Sequence, residues 1–119
     1  MSSRDICQRT FDLALRVVKL CQYLDDKPGI LRTLGKQLLR SGTSVGANVE
    51  EAQAAQSKAD FISKMNIALK EARETHYWLR LLVASQLIQE SRLLGLKAET
   101  EEVMKILGAI IASSKNTKK

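Results

Sequence analysis

Arg40, Ser44, Asn48 and Glu51 stand at i, i+4, i+8 and i+11, the spacing that lines polar groups along one side of an α-helix. Further along, Glu71 and Glu74 lie about one helical turn apart, and Glu74 occupies a row otherwise filled by Ile67, Leu81 and Ile88. A lone carboxylate among aliphatic side chains is costly to bury without a cation or an amide donor. Arg40 and Asn48 are its candidate partners, and Glu71 is placed to join them. The set supports two kinds of chemistry. One is a satisfied, buried polar network of Arg40, Ser44, Asn48, Glu51, Glu71 and Glu74 that fixes helix register. The other is an enzyme that uses Glu71 and Glu74 with Arg40. Paired Arg and carboxylate groups usually serve structure, so the network is the preferred reading.

Other chemistries find no support in the residues. His76 is the only histidine. Di-iron bundles need Glu-x-x-His pairs, and Arg73 stands three residues before His76. A nucleophile–histidine pair would depend on the same residue, set between Thr75 and Tyr77 in a helical stretch, where a structural role is expected. Gly42 to Gly46 matches neither glycine-rich phosphate-loop pattern. The two cysteines, Cys7 and Cys21, would lie about 21 Å apart along one helix, too far for a disulfide. Both read as small buried thiols of a reducing, cytoplasmic protein. No metal and no cofactor is therefore expected.

Nucleic acid is the alternative partner. The chain has 19 Lys and Arg against 13 Asp and Glu, a net charge of +6. Lys115, Lys118 and Lys119 carry half of that excess. Arg32, Lys36 and Arg40 form a row along the second helical segment, and Lys70, Arg73 and Arg80 cluster on the third. Arg32, Lys36, Arg73 and Arg80 are the candidate phosphate contacts. The five aromatics, Phe11, Tyr23, Phe61, Tyr77 and Trp78, fall mostly at core phase, so any binding would be to the backbone and tolerant of sequence.

The elements that must position these groups are helices. With one Pro, six Gly and 4% aromatic residues, a many-stranded β fold has too few turn-formers. A chain of 119 residues makes one domain, here 1–119. Apolar period predicts helices over about 4–24, 30–56, 58–88 and 91–113, with a frayed basic tail over 114–119. The seams are Ile6, Thr10, Leu13, Val17, Leu20 and Leu24; Leu31, Leu34, Leu38, Val45, Val49 and Ala52; Phe61, Met65, Ala68, Ala72, Thr75, Leu79 and Leu82; and Leu93, Leu96, Thr100, Val103, Leu107 and Ile110. Asp25 to Gly29 supplies the first turn, Ser57 caps the third helix, and the last turn falls near Gln89 and Glu90. Through Ser41–Gly46 the second helix is expected to continue, because the apolar phase holds on both sides; a break near Gly42 is the alternative. Gly42 and Gly46 share one face, where a neighbouring helix can approach closely. The whole is an all-α, antiparallel up-down-up-down four-helix bundle. Its third helix is apolar on nearly every side, which predicts burial between subunits. The N-terminus has neither a signal peptide's pattern nor a run long enough to span a membrane, so no membrane association is expected.

Two runs carry a resemblance. Gln37–Ala52, with its Arg40-Ser41-Gly42-Thr43-Ser44-Val45-Gly46-Ala47-Asn48 centre, and Asp60–Leu82, with Glu71-Ala72-Arg73-Glu74-Thr75 and Tyr77-Trp78-Leu79, are similar to the two signatures of the bacterial four helix bundle protein family. That family is also called the 23S ribosomal RNA intervening-sequence protein family. The resemblance implies an antiparallel bundle that assembles as a homopentamer, with signature positions at Arg40, Ser44, Asn48, Glu51 and Glu74 and no catalytic residues. Some members are encoded within insertions in ribosomal RNA genes. A related branch, the accessory variability protein of diversity-generating retroelements, is a basic pentamer that binds nucleic acid and a reverse transcriptase. This chain is less basic than that branch would be. A ribosomal label on the family is not proof of residence in the ribosome.

Overall fold

The computed structural model describes residues 3–116; Lys118 and Lys119 of the expected tail lie outside them. The elements are α1 (Ser3–Asp25), α2 (Ile30–Gln53), α3 (Lys58–Ser85), a short 3-10 turn (Glu90–Arg92) and α4 (Leu94–Asn116). Each helix packs on the next, and α4 returns to α1, which makes an all-α four-helix bundle measuring 52 × 20 × 18 Å.

The seams read from the apolar period form the core. All six expected positions of α1 are buried, as are Leu38, Val45, Val49 and Ala52 of α2; Leu31 and Leu34, expected in the same seam, are only half-buried near the start of α2. On α3, Met65, Ala68, Ala72, Thr75, Leu79 and Leu82 are buried; Phe61, near the open end of that helix, is only half-buried. On α4 the last core position is Ile111, with Ile110 half-buried beside it. Buried hydroxyls need partners. Thr10, Thr75 and Thr100 each donate to the carbonyl four residues earlier, at 2.8 Å in every case. The Thr75 and Ser41 hydroxyls also share a 3.0 Å bond that ties α3 to α2 in the middle of the core.

Local chemistry sets the helix ends. Gly29 has φ 70°, the left-handed region that glycine enters without steric cost, and Pro28-Gly29 turns the chain into α2. The Ser57 side chain accepts from the Asp60 backbone N–H at 3.0 Å, as its position predicts. Asp60 in turn accepts from the Gln56 N–H at 3.3 Å. The ends of α2 and α3 and both ends of α4 differ from the periodicity. α2 stops at Gln53 rather than 56. α3 stops at Ser85 rather than 88, because Gln86 takes a left-handed conformation (φ 58°) and folds Ile88 inward as an end-plug. α4 starts at Leu94 and continues through Asn116, so residues 114–116 are helical, not frayed.

α2 is one unbroken helix through Ser41–Gly46. A Cβ placed on Gly42 would meet the Val17 methyls at 2.7 and 2.8 Å, and one on Gly46 would meet the Thr10 carbonyl oxygen at 3.1 Å. The absence of side chains here lets α1 lie directly on α2, and that packing outweighs the roughly 1 kcal/mol that each interior glycine costs a helix.

Two expectations need correction. None of the five aromatics is buried: Phe11 and Tyr77 are exposed, and Tyr23, Phe61 and Trp78 are half-buried. The bundle axis is filled by aliphatics and by rows of Ala and Gly, which leave no room for rings. Of the two free cysteines only Cys21 is buried; Cys7 is half-buried on the flank of α1.

Gly42→Leu should lower unfolding free energy by about 1–3 kcal/mol through overpacking against Val17. Gly108, whose added Cβ would meet nothing within 4 Å, is the contrasting case. Gly108→Ala should raise stability by about 0.5–1 kcal/mol. Thermal and urea melts of the two variants check both signs.

Candidate functional site

Arg40 projects from α2 toward α3. Its Nη2 lies 2.6 Å from Glu74 Oε2 and 3.2 Å from Glu71 Oε1. The Trp78 indole N–H donates to the same Glu74 oxygen at 3.1 Å, and the Tyr77 ring meets Trp78 edge-on. The Arg40 hydrogen bond, then that of Trp78, holds the Glu74 carboxyl below its ordinary range. Arg40 is correspondingly held in its charged form.

The predicted partnership of Arg40 with Glu74 and Glu71 is therefore formed, but the network is smaller and wetter than predicted. The Arg40 side chain is 50% exposed and that of Glu74 32%; only Glu71, at 15%, is well covered. Ser44 donates to the Arg40 carbonyl at 2.7 Å and Asn48 to the Ser44 carbonyl at 2.9 Å, both within α2. Glu51 is exposed. Ser44, Asn48 and Glu51 thus do not reach the acid pair. The physical reason is axial: at about 1.5 Å rise per residue they stand roughly 6, 12 and 16 Å along α2 from Arg40, past the level of the acid pair. Four surface hollows lie elsewhere, lined by residues other than Arg40, Glu71 and Glu74.

The candidate phosphate contacts are not brought together. Arg32 and Lys36 line a groove facing α1, and Arg32 Nε donates to the Asp25 carbonyl. Arg73 and Arg80 stand on the exposed side of α3, Arg80 lying over the Tyr77 ring. The acid pair and Arg40 lie between the two groups.

Two ties were not legible in the pattern. Arg9 grips Glu99 across α1 and α4 with two bonds, 2.7 and 3.0 Å. His76 Nε2 sits 2.8 Å from Glu101, which Lys97 also holds at 2.9 Å. Charged groups at helix flanks carry no period that names their partner, so only the helix order reveals these pairs. Hydrogen bonding from Arg9 holds the Glu99 carboxyl below its ordinary value, and His76 first, then Lys97, does the same for Glu101. Burial pushes the Cys21 thiol up to about 11, and its Sγ donates to the Gly35 carbonyl at 3.2 Å. Burial, then Glu50, also raises Cys7. Neither thiol is poised as a nucleophile. Among the described residues no three His, Cys, Asp or Glu groups converge as a metal would need. Among them also, no helix is long and apolar enough to cross a membrane.

These features define a helical bundle whose charged groups act as ties between its own helices. The sequence matches the 23S rRNA-intervening sequence protein family over residues 2–109, and the chain belongs to that family. It is similar to a solved protein of unknown function from the S23 ribosomal protein family of Bacteroides thetaiotaomicron. That likeness has 42% identity, covers 94% of this chain and 99% of the other, and has a TM-score of 0.86. No match to a curated protein was found.

Because Arg40 is solvated, Glu74→Ala should cost less than about 1 kcal/mol rather than the several of a sealed pair. Its thermal melt at neutral pH decides between the two. Acid should reveal the carboxylate ties. Glu74, Glu99 and Glu101 have folded-state values below their ordinary 4.5. Their contribution is complete above that value and lost as pH falls through the lower folded values. Melting temperature should therefore drop on acidification below pH 4.5, and Glu99→Gln should make that drop shallower.

Proposed function

We propose that this chain is a non-enzymatic building block of a closed homo-oligomer in the cytoplasm, with copies meeting through two different sides of the bundle. The observation that carries this reading is the placement of exposed apolar residues. Phe11 (56% exposed), Leu15 (47%) and Val18 follow one stripe of α1, and Leu39 of α2 stands on the same side. Ile67 and Leu81 flank Glu74 on the α2–α3 side. Contiguous apolar patches on a soluble chain mark places where another protein surface lies.

α3, read from sequence as the helix most in need of cover, has its main seam sheltered within one chain. α1 carries the larger uncovered stripe. Two unlike faces favour a head-to-tail ring over a two-fold dimer. Adjacent sides of a four-helix bundle lie about 90° apart, and faces so inclined close a ring of about four or five copies. The pentamer implied by the family resemblance falls in that range. A neighbour on the second face would also cover the half-exposed Arg40–Glu71–Glu74 cluster. The solvated, internally paired state of those groups supports a structural role over a catalytic one. The two free thiols fit a reducing compartment.

The nucleic-acid alternative drew on Arg32, Lys36, Arg73 and Arg80, with a reverse transcriptase as a conceivable partner. Their separation onto different flanks weakens that reading.

Light scattering at micromolar concentration should give a multiple of 13.3 kDa. Leu15→Asp and Leu81→Asp should each abolish the ring. Mixed together, the two variants should form a one-to-one dimer, because each keeps the face that the other lacks. A wild-type chain that stays monomeric would overturn the reading. So would a mixture that never pairs while both variants remain folded.

A further inference from the structure

α1 and α4 are the least closely packed neighbours in the bundle. Toward the end where the 26–29 and 86–93 connections lie, they part to leave an open hollow of about 280 Å³. Arg16, Lys19 and Arg92 ring it, over a floor of Leu20, Tyr23 and Leu96. A Cβ on Gly95 would lie 3.1 Å from an Arg16 guanidinium nitrogen, so that guanidinium rests directly on the first turn of α4. Arg92 lies 3.8 Å from the centre of the Tyr23 ring, and the Lys27 ammonium is 4.5 Å from the same ring.

These cations differ from the others near the bundle's seams. Arg9, Arg40 and Lys97 are each matched to a carboxylate. Arg16, Lys19, Lys27 and Arg92 form no ion pair among the described residues. Three like charges, Arg16, Lys19 and Arg92, line the hollow, and Lys27 lies against the ring of its Tyr23 wall; Arg16 also acts on Glu99, and the set as a whole attracts an anion of more than one charge. The two guanidinium forks suit phosphate oxygens in a bidentate way that a single ammonium cannot offer.

A second hollow of about 380 Å³ adjoins the first. Tyr23 and Arg92 form the wall that the two share, and Gln86 and Gln89 line the far side. Glutamine amides both donate and accept, so they can read a heterocycle edge or sugar hydroxyls. A ring beside cations and amides supplies the mix of apolar and polar contacts that small-molecule sites use, here along two open hollows that share a wall. With Arg92 and Lys27 both lying over the Tyr23 ring, the site is poorly made for stacking successive bases of a strand.

We propose that the α1–α4 cleft binds a nucleoside polyphosphate, its phosphates on Arg16, Lys19 and Arg92 and its polar head against Gln86 and Gln89. The side of the bundle concerned is not one of the two assigned to assembly, so the site stays open in a ring and does not depend on one.

Calorimetric titration of the full chain at about 50 mM salt tests this with three probes: ATP, inorganic pyrophosphate and a single-stranded oligonucleotide. ATP should bind, and more tightly than pyrophosphate. Arg92→Glu and Lys19→Glu should each weaken ATP by about tenfold or more, with their melts confirming that they fold. Gln89→Ala should weaken ATP but not pyrophosphate. Arg73→Glu, outside the cleft, should leave ATP unchanged. No binding of ATP overturns the proposal. Pyrophosphate as tight as ATP overturns the nucleoside part. Binding of the oligonucleotide alone assigns the cleft to a nucleic-acid backbone instead. Equal losses for Arg73→Glu and Arg92→Glu reduce it to diffuse surface attraction.

Discussion

The bundle depends on how closely α1 and α2 approach each other. Gly42 and Gly46 present bare backbone to Val17 and Thr10; a methyl group on Gly42 would collide with Val17, and one on Gly46 would press on the Thr10 backbone. Gly35 does the same for Leu24 one end further on. With those two helices in contact, the remaining seams have one workable arrangement: α3 covers α2, and α4 closes the square on α3. The looser α1–α4 contact is the consequence. Two pairs packed tightly on one side leave the last seam to a single bidentate ion pair, Arg9 with Glu99, and below it the helices part.

That asymmetry distributes the polar groups. Where helices touch closely, hydroxyls suffice: Thr10, Ser41, Thr75 and Thr100 are buried and satisfied by backbone carbonyls or by each other. Where helices diverge at their flanks, longer charged side chains span the gap, as in Arg40 to Glu71 and Glu74 and His76 to Glu101. A half-exposed pair of this kind adds little stability but selects one register, because shifting α3 by a turn would part Arg40 from both acids. Along the same divergence Arg16, Lys19 and Arg92 form no ion pair among the described residues, although Arg16 acts on Glu99 at longer range.

The exposed apolar stripe of α1 and the row through Ile67 and Leu81 follow from the same economy of core space. Narrow Ala and Gly rows keep the interior thin, and the rings and surplus aliphatics are displaced to the outside. Phe11 and Tyr77 illustrate it: Phe11 is exposed beside the smaller buried Thr10, and Tyr77 is exposed two positions from buried Thr75 and Leu79. An interior without rings thus leaves aromatic and aliphatic side chains on the outside of the bundle.

Helical period by itself determined the number of helices, their core faces, the Ser57 cap and the continuity of α2, because burial of one stripe per helix is a local, repeating demand on residue type. It also narrowed the partner of Glu74 to Arg40 or Asn48, since a carboxylate in an apolar row admits few partners; the structure chose Arg40 and turned Asn48 to the Ser44 carbonyl. How wet that meeting is, and that Ser44, Asn48 and Glu51 take no part in it, was decided only when α2 and α3 were set side by side: exposure depends on the angle between helices, which no single helix encodes. The stop at Gln86 and the inward fold of Ile88 were likewise tertiary, because a left-handed glutamine is tolerated only where the end-plug it permits is buried. The pairing of Arg9 with Glu99, ninety residues apart, and the cleft below it belong to the closure of the bundle, a long-range event that spacing along the chain cannot express.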